Sequence, residues 1–166
     1  MKELNKDISI IIVLYQEEFE LLEKCLENIS GYKFIIIDND GNKELKKKIE
    51  EKFFIYKYIL NKKNIGFSKA ANKAIDLVDT PYILNLQADC EIFNSDIEKM
   101  YSSYKEYKDC FLVSPTFFEN DKETFNSASL PEKKMSQKIL KIEGNICTDT
   151  VIGSVIFFQK KEFIKL

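Results

Sequence analysis

A chain of 166 residues, 45% hydrophobic and 31% charged, is long enough to bury a core as one domain and has ordinary globular composition. Its formal net charge of −2 implies no electrostatic pull toward nucleic acid, and its lysine runs (46–48, 62–63, 133–134) read as a solvated face. There is no histidine, which excludes Ser-His-Asp triads, histidine-ligated zinc and imidazole general bases.

Residues 8–15 are a continuous β-branched run, which predicts a strand buried on both faces. Phe19, Leu22, Cys25, Leu26 and Ile29 follow at helical spacing, with Glu17, Glu18 and Glu20 at the start and Gly31 at the end. Residues 34–37 predict a second buried strand, closed by the acidic corner Asp38-Asn39-Asp40-Gly41. Leu45, Ile49 and Phe53 mark a short charged helix, and residues 54–60 a third strand. Phe67, Ala70, Ala71, Ala74, Ile75 and Val78 line one helix face, where the alanines allow close approach to a sheet. Residues 82–86 predict a fourth strand. Asn94 or Ser95 is placed to cap a helix buried on Ile97, Met100, Tyr101 and Tyr104. Residues 110–114 predict a fifth strand. This alternation argues for βαβ units and a mostly parallel sheet. Residues 117–145 break the rhythm, with Pro131, a weak strand at 124–128 and a short helix near 135–140. An apolar strand returns at 151–158, opening with Val151-Ile152-Gly153-Ser154.

The four cysteines (Cys25, Cys90, Cys110, Cys147) show no C-x-x-C pair and read as reduced thiols, Cys25 and Cys110 as small core hydrophobes. The start of the chain is polar and its first apolar run is short, so no signal peptide is expected. No segment approaches the roughly 20 apolar residues that span a bilayer.

Candidate site residues cluster at predicted strand ends, where open α/β sheets bind ligands. Asp38 either accepts a hydrogen bond from a ligand N–H or hydroxyl, or serves as a turn acid on its own backbone. Gly66, just before a helix, lets backbone approach a ligand and offers free N–H groups to anionic oxygens; the alternative is an ordinary loop glycine. Neither G-x-G-x-x-G nor a Walker loop is present. Asp89 closes the fourth strand as Gln87-Ala88-Asp89 and can ligate Mg²⁺ or act as a turn acid. Gln87 offers only a neutral amide oxygen, and Glu91 follows two residues on.

Taken in order, Leu14-Tyr15-Gln16-Glu17, Ile36-Ile37-Asp38-Asn39, Asn64-Ile65-Gly66-Phe67-Ser68-Lys69-Ala70-Ala71-Asn72 and Leu84-Asn85-Leu86-Gln87-Ala88-Asp89 resemble the family 2 glycosyltransferases, nearest the bacterial rhamnosyltransferase-like branch. Residues 151–163, with Gly153, Lys161 and Phe163, resemble a later family segment. The resemblance implies an α/β GT-A fold, a Rossmann-like, mostly parallel sheet between helices. Residues 1–116 would form the donor-binding half and 117–166 the start of an acceptor-side half. It implies that Leu14 and Tyr15 border the nucleotide base and that Asp38 bonds it, usually uracil or thymine. Asn64, Gly66 and Asn72 would shape the ribose and sugar side, with Gln87 beside them. Asp89 would hold a divalent metal (Mg²⁺ or Mn²⁺) on the diphosphate, and Gly153 would lie near the acceptor wall.

The implied activity is inverting transfer from a UDP- or dTDP-linked nucleoside-diphosphate sugar to a saccharide or lipid-linked acceptor. The setting would be bacterial surface-polysaccharide synthesis, in the cytoplasm or at the inner membrane face. Gln16 stands where Asn is common, Gln87 where a carboxylate or Asn is common, and Lys161 where Arg is frequent. The family's acidic base segment would follow Phe163, so a truncated chain lacking its catalytic base is expected, with poor transfer. A non-catalytic nucleotide-sugar-binding module is the alternative; a nucleotidyltransferase fits less well, because residues 15–20 lack a glycine-rich basic loop. Apolar surface left uncovered at 151–158 would make a homo-oligomer plausible.

Overall fold

A computed structural model describes residues 4–119, 122–124, 128–129, 150–151 and 153–165. In chain order the elements open with α1 (Leu4–Asp7), β1 (Ile8–Leu14), α2 (Phe19–Glu27), β2 (Lys33–Asp38), α3 (Lys43–Lys52) and β3 (Lys57–Leu60). They continue with α4 (Phe67–Leu77), β4 (Tyr82–Leu86), α5 (Asn94–Glu106) and β5 (Leu112–Val113). Then come β6 (Phe117–Glu119), β7 (Lys122–Thr124), β8 (Ala128–Ser129), β9 (Thr150–Val151), β10 (Val155–Gln159) and α6 (Lys160–Phe163).

The main sheet runs β3-β2-β1-β4-β10-β5, with β6-β7 and β8-β9 as separate antiparallel pairs. β1 pairs in parallel with β2 and β4, and β2 with β3, while β10 is antiparallel to both β4 and β5. The fold is therefore the expected α/β architecture with one reversed strand inserted near its edge. Side-chain alternation along the strands divides the core in two. Ile8, Ile10, Ile12, Phe34 and Ile36 pack against α2, α3 and α5 through Leu22, Leu26, Ile49, Ile97 and Met100. Ile11, Ile35, Ile37 and Ile83 pack on the other face against Ala70, Ala74 and Ile75 of α4. Small alanines on that face let α4 lie close beneath β1 and β2.

Several boundaries differ from expectation. The third strand begins at Lys57 rather than 54, because its ladder to β2 starts at the Ile35–Lys57 pair; Phe54 is left 79% exposed. The fifth shortens to Leu112–Val113, all that pairs with β10. The apolar run at 151–158 is broken by a turn at Gly153-Ser154: Val151 belongs to β9 and pairs with β8, and only β10 enters the main sheet. There Val155, Phe157 and Phe158 are buried between β4 and β5, while Ile156 stays partly exposed. Neither Asn94 nor Ser95 caps α5. The Asn94 carboxamide is held by Ser30, and Asp96 instead accepts from the Phe93 amide at 3.0 Å. The expected strand at 124–128 is split between Thr124 of β7 and Ala128 of β8, and the helix near 135–140 lies outside the described residues.

Candidate functional site

From β1 the chain moves outward to β2 and β3, then returns to place β4 on the opposite side of β1. The crevice at the carboxyl ends of β1 and β4 is the topological switch point, where open α/β sheets bind ligands. Tyr15, Gln16 and Glu17 leave β1 there; Gln87, Ala88 and Asp89 leave β4. Gln16 takes a left-handed backbone (φ 59°), which turns the chain sharply off the strand. Tyr15 stays 48% exposed, whereas the Leu14 side chain is packed into the core, so Leu14 can offer a ligand only its backbone.

Asp89 is exposed at the mouth of the crevice. Its Oδ1 accepts the Cys90 thiol at 3.6 Å, and among the described residues no lysine lies within ion-pair distance. Half-buried Glu17 has its pKa raised from the ordinary carboxylate value, first by burial and second by the charge of Asp89. The Asp89 charge thus acts on Glu17, and among the described residues neither carboxylate forms an ion pair with a lysine. That donor set suits a hard divalent cation, which takes few protein carboxylates and keeps positions for water and phosphate. Among the described residues no cluster of three or more metal-ligating side chains occurs. Burial pushes the Cys25 and Cys90 thiols up to about 12, which keeps both protonated near neutrality.

Asp38 ends β2 and is 1% exposed. Its Oδ1 accepts the Asp40 and Gly41 amides at 2.8 and 2.9 Å, and its Oδ2 accepts the Tyr58 hydroxyl at 3.2 Å. The turn-acid alternative is thus realised. An ionised carboxylate has about four acceptor positions, so three bonds leave capacity for one ligand donor. Burial, then the Asp38 charge, raises the Tyr58 phenol above its usual value and keeps it a donor. Gly41 completes the corner at φ 69°, and a Cβ there would sit 2.8 Å from the Asn61 carbonyl oxygen. Gly41→Ala is therefore expected to cost about 1–3 kcal/mol, read as a shift of the urea midpoint at unchanged slope.

The loop from β3 to α4 is shaped by an Asx turn in which Asn64 Oδ1 accepts the Gly66 amide at 2.8 Å. Gly66 is exposed, with φ 82° and nothing within 4 Å of a built Cβ, so the backbone conformation and not space calls for glycine. Asn72 lies exposed one turn into α4. On the far side of β4, Asn85 Nδ2 donates to the Gly153 carbonyl at 3.0 Å, and the Gln87 amide donates to Ser154 at 2.8 Å. Gly153 is thereby placed beside the Gln87–Asp89 segment.

Sequence reasoning missed Glu17 as a partner in the Asp89 field, Asn85 as the anchor of the Gly153 turn, and a ladder from Asn39 through Asn61 to Lys73. The one signal available was the position of Asn39 and Asn61 directly after predicted strands.

A family model described as Glycosyl transferase family 2 matches residues 9–163, nearly the whole chain. The chain belongs to this family. A low-salt glycan biosynthesis hexosyltransferase, Agl10, of Haloferax volcanii is 28% identical over 138 residues, covering 80% of this chain and 44% of that protein. An uncharacterized glycosyltransferase of Methanocaldococcus jannaschii is 27% identical over 144 residues, covering 81% and 50%. The chain thus spans about half the length of the curated relatives it matches. Among solved structures, a mannosyltransferase of Pyrobaculum calidifontis in complex with GDP-Man and Mn²⁺ superposes with a TM-score of 0.66 at 15% identity, over 96% of this chain and 46% of that one. S. aureus TarS 1-349 gives 0.60 at 14% identity, over 93% and 47%. These neighbours establish the GT-A fold for this family 2 chain.

Proposed function

We propose that this chain is the donor-binding part of a metal-assisted glycosyltransferase. It takes a UDP- or dTDP-linked sugar and passes it, with inversion, to a saccharide or lipid-linked acceptor in cell-surface polysaccharide synthesis. The observation that carries the reading is the Glu17–Asp89 acidic pair at the β1–β4 switch point, which among the described residues has no lysine in ion-pair contact. Asp89 would hold the divalent cation, with Glu17 strengthening the local field. A cation held there would supply positive charge to offset the negative charge that builds on the departing nucleoside diphosphate. Asp38 accepts the base N–H through its remaining acceptor position, and exposed Tyr15 borders the base. Asn64 and Gly66 shape the ribose side, and the Gly153 turn borders the sugar and acceptor. In transfer, the sugar–oxygen bond to the diphosphate breaks, the acceptor oxygen bonds the anomeric carbon from the opposite face, and a general base takes its proton.

No described helix is long and apolar enough to cross a membrane, and a lipid-linked acceptor would be met at the cytoplasmic membrane face. Titration calorimetry with UDP, dTDP, GDP and ADP, each with and without Mn²⁺, tests the reading. Binding of UDP or dTDP strengthened by Mn²⁺ is expected. A preference for ADP, or no binding, would remove the base assignment to Asp38.

A further inference from the structure

We propose that Lys73 sets the donor–acceptor order of the β2 edge and through it contributes to selection of the nucleotide base. The proposal rests on the nucleotide-binding reading above and adds a specificity-determining residue to it.

The carboxyl ends of β1, β2 and β3 are cross-linked beyond the regular ladder. The Asn39 amide donates to the Leu14 carbonyl at 2.8 Å, and the Asn61 amide to the Asp38 carbonyl at 2.8 Å. Side chains then continue the tie toward α4. Asn61 Nδ2 donates to Asn39 Oδ1 at 2.8 Å, and Lys73 Nζ donates to Asn61 Oδ1 at 2.6 Å. Asn39 and Asn61 are 3% and 8% exposed. Among the described residues Lys73 has no carboxylate partner; its ammonium rests on a neutral amide oxygen.

A carboxamide can point either end toward a neighbour, but an ammonium only donates. Lys73 therefore requires that Asn61 face it with Oδ1, so Nδ2 faces Asn39. Asn39 must answer with Oδ1, which turns its own NH₂ group away from the ladder. Among the described residues that NH₂ makes no hydrogen bond. The charge at one end strengthens each bond along the line and polarises the open donor at the other. The edge beside Asp38 thus offers a fixed donor next to an acceptor. Uracil presents a carbonyl oxygen beside N3–H and matches both. Cytosine presents an amino group beside an unprotonated N3 and opposes both. Without Lys73, both carboxamides can reverse, and the edge can present an oxygen instead.

The test compares wild type, Lys73→Met and Lys73→Arg by calorimetry with UDP and CDP in Mn²⁺, alongside side-chain amide NMR of the unliganded chain. Wild type and Lys73→Arg are expected to prefer UDP, and Lys73→Met to lose about tenfold of the UDP-to-CDP ratio while Mn²⁺ still strengthens binding. In the NMR measurement, the Asn61 amide proton bonded to Asn39 should be protected from solvent exchange in wild type and Lys73→Arg and lose that protection in Lys73→Met. An unchanged ratio in Lys73→Met overturns the specificity role, and unchanged amide protection overturns the ordering by Lys73. Failure of wild type to bind any nucleotide overturns the reading of the site and the base selection with it; the amide measurement still reports whether Lys73 orders the ladder.

Discussion

Asp89→Asn is expected to remove the metal-dependent part of UDP affinity, a loss of at least about tenfold in Mn²⁺, because cation affinity follows the charge of the ligand set. Affinity without metal should change little. The substitution keeps the size of the side chain and the backbone bonds that anchor the segment, Gln87 to Ser154 and Cys90 to Gln87. It removes the exposed member of the Glu17–Asp89 pair and relieves the charge that helps to raise the Glu17 pKa. Gln87→Ala should do less, since the Gln87 amide is neutral and its backbone contacts survive. Calorimetry of the three proteins, with and without Mn²⁺, reads these effects directly. Equal affinities of wild type and Asp89→Asn in Mn²⁺ would return Asp89 to the role of a turn acid.

Phe157→Ala is expected to be the most destabilising single change, about 3–5 kcal/mol by urea unfolding. Phe157 is fully buried at the centre of β10. Its ring stacks on Tyr82 at 5.7 Å and meets Tyr101 and Tyr104 edge-on at 6.2 and 5.7 Å. The cluster locks the reversed strand between β4 and α5 and holds the Gly153 turn against the carboxyl end of β4. Loss of that ring should leave a cavity that neighbouring tyrosines cannot fill, because each is fixed by its own packing. Phe54→Ala is the control: with the ring 79% exposed, a change within about 0.5 kcal/mol is expected. Similar losses for both substitutions would show that the aromatic cluster does not secure β10.

The strands and helices of residues 8–106 were legible because their patterns are local. The unbroken isoleucine run of β1 and the alanine-lined face of α4 each state their environment without reference to anything distant. Strand ends that bear Asp38 and Asp89 were legible for the same reason. The split at Gly153 was not, since an apolar run reads as one strand until pairing partners are known. Val151 finds β8, and Val155 finds β4.

By itself, the sequence determined the α/β order of elements, the family resemblance, and which carboxylates stand at strand ends. Those follow from periodicity and from residue types in order along the chain. Tertiary structure alone decided that Glu17 enters the field of Asp89, that the Tyr58 hydroxyl joins the local turn amides on Asp38, and that Lys73 reaches Asn61. Each of these depends on which strands become neighbours and which face of a helix lies under them. Hydrogen bonds and fields between residues far apart in the chain exist only once sheet order and helix packing have brought the groups together.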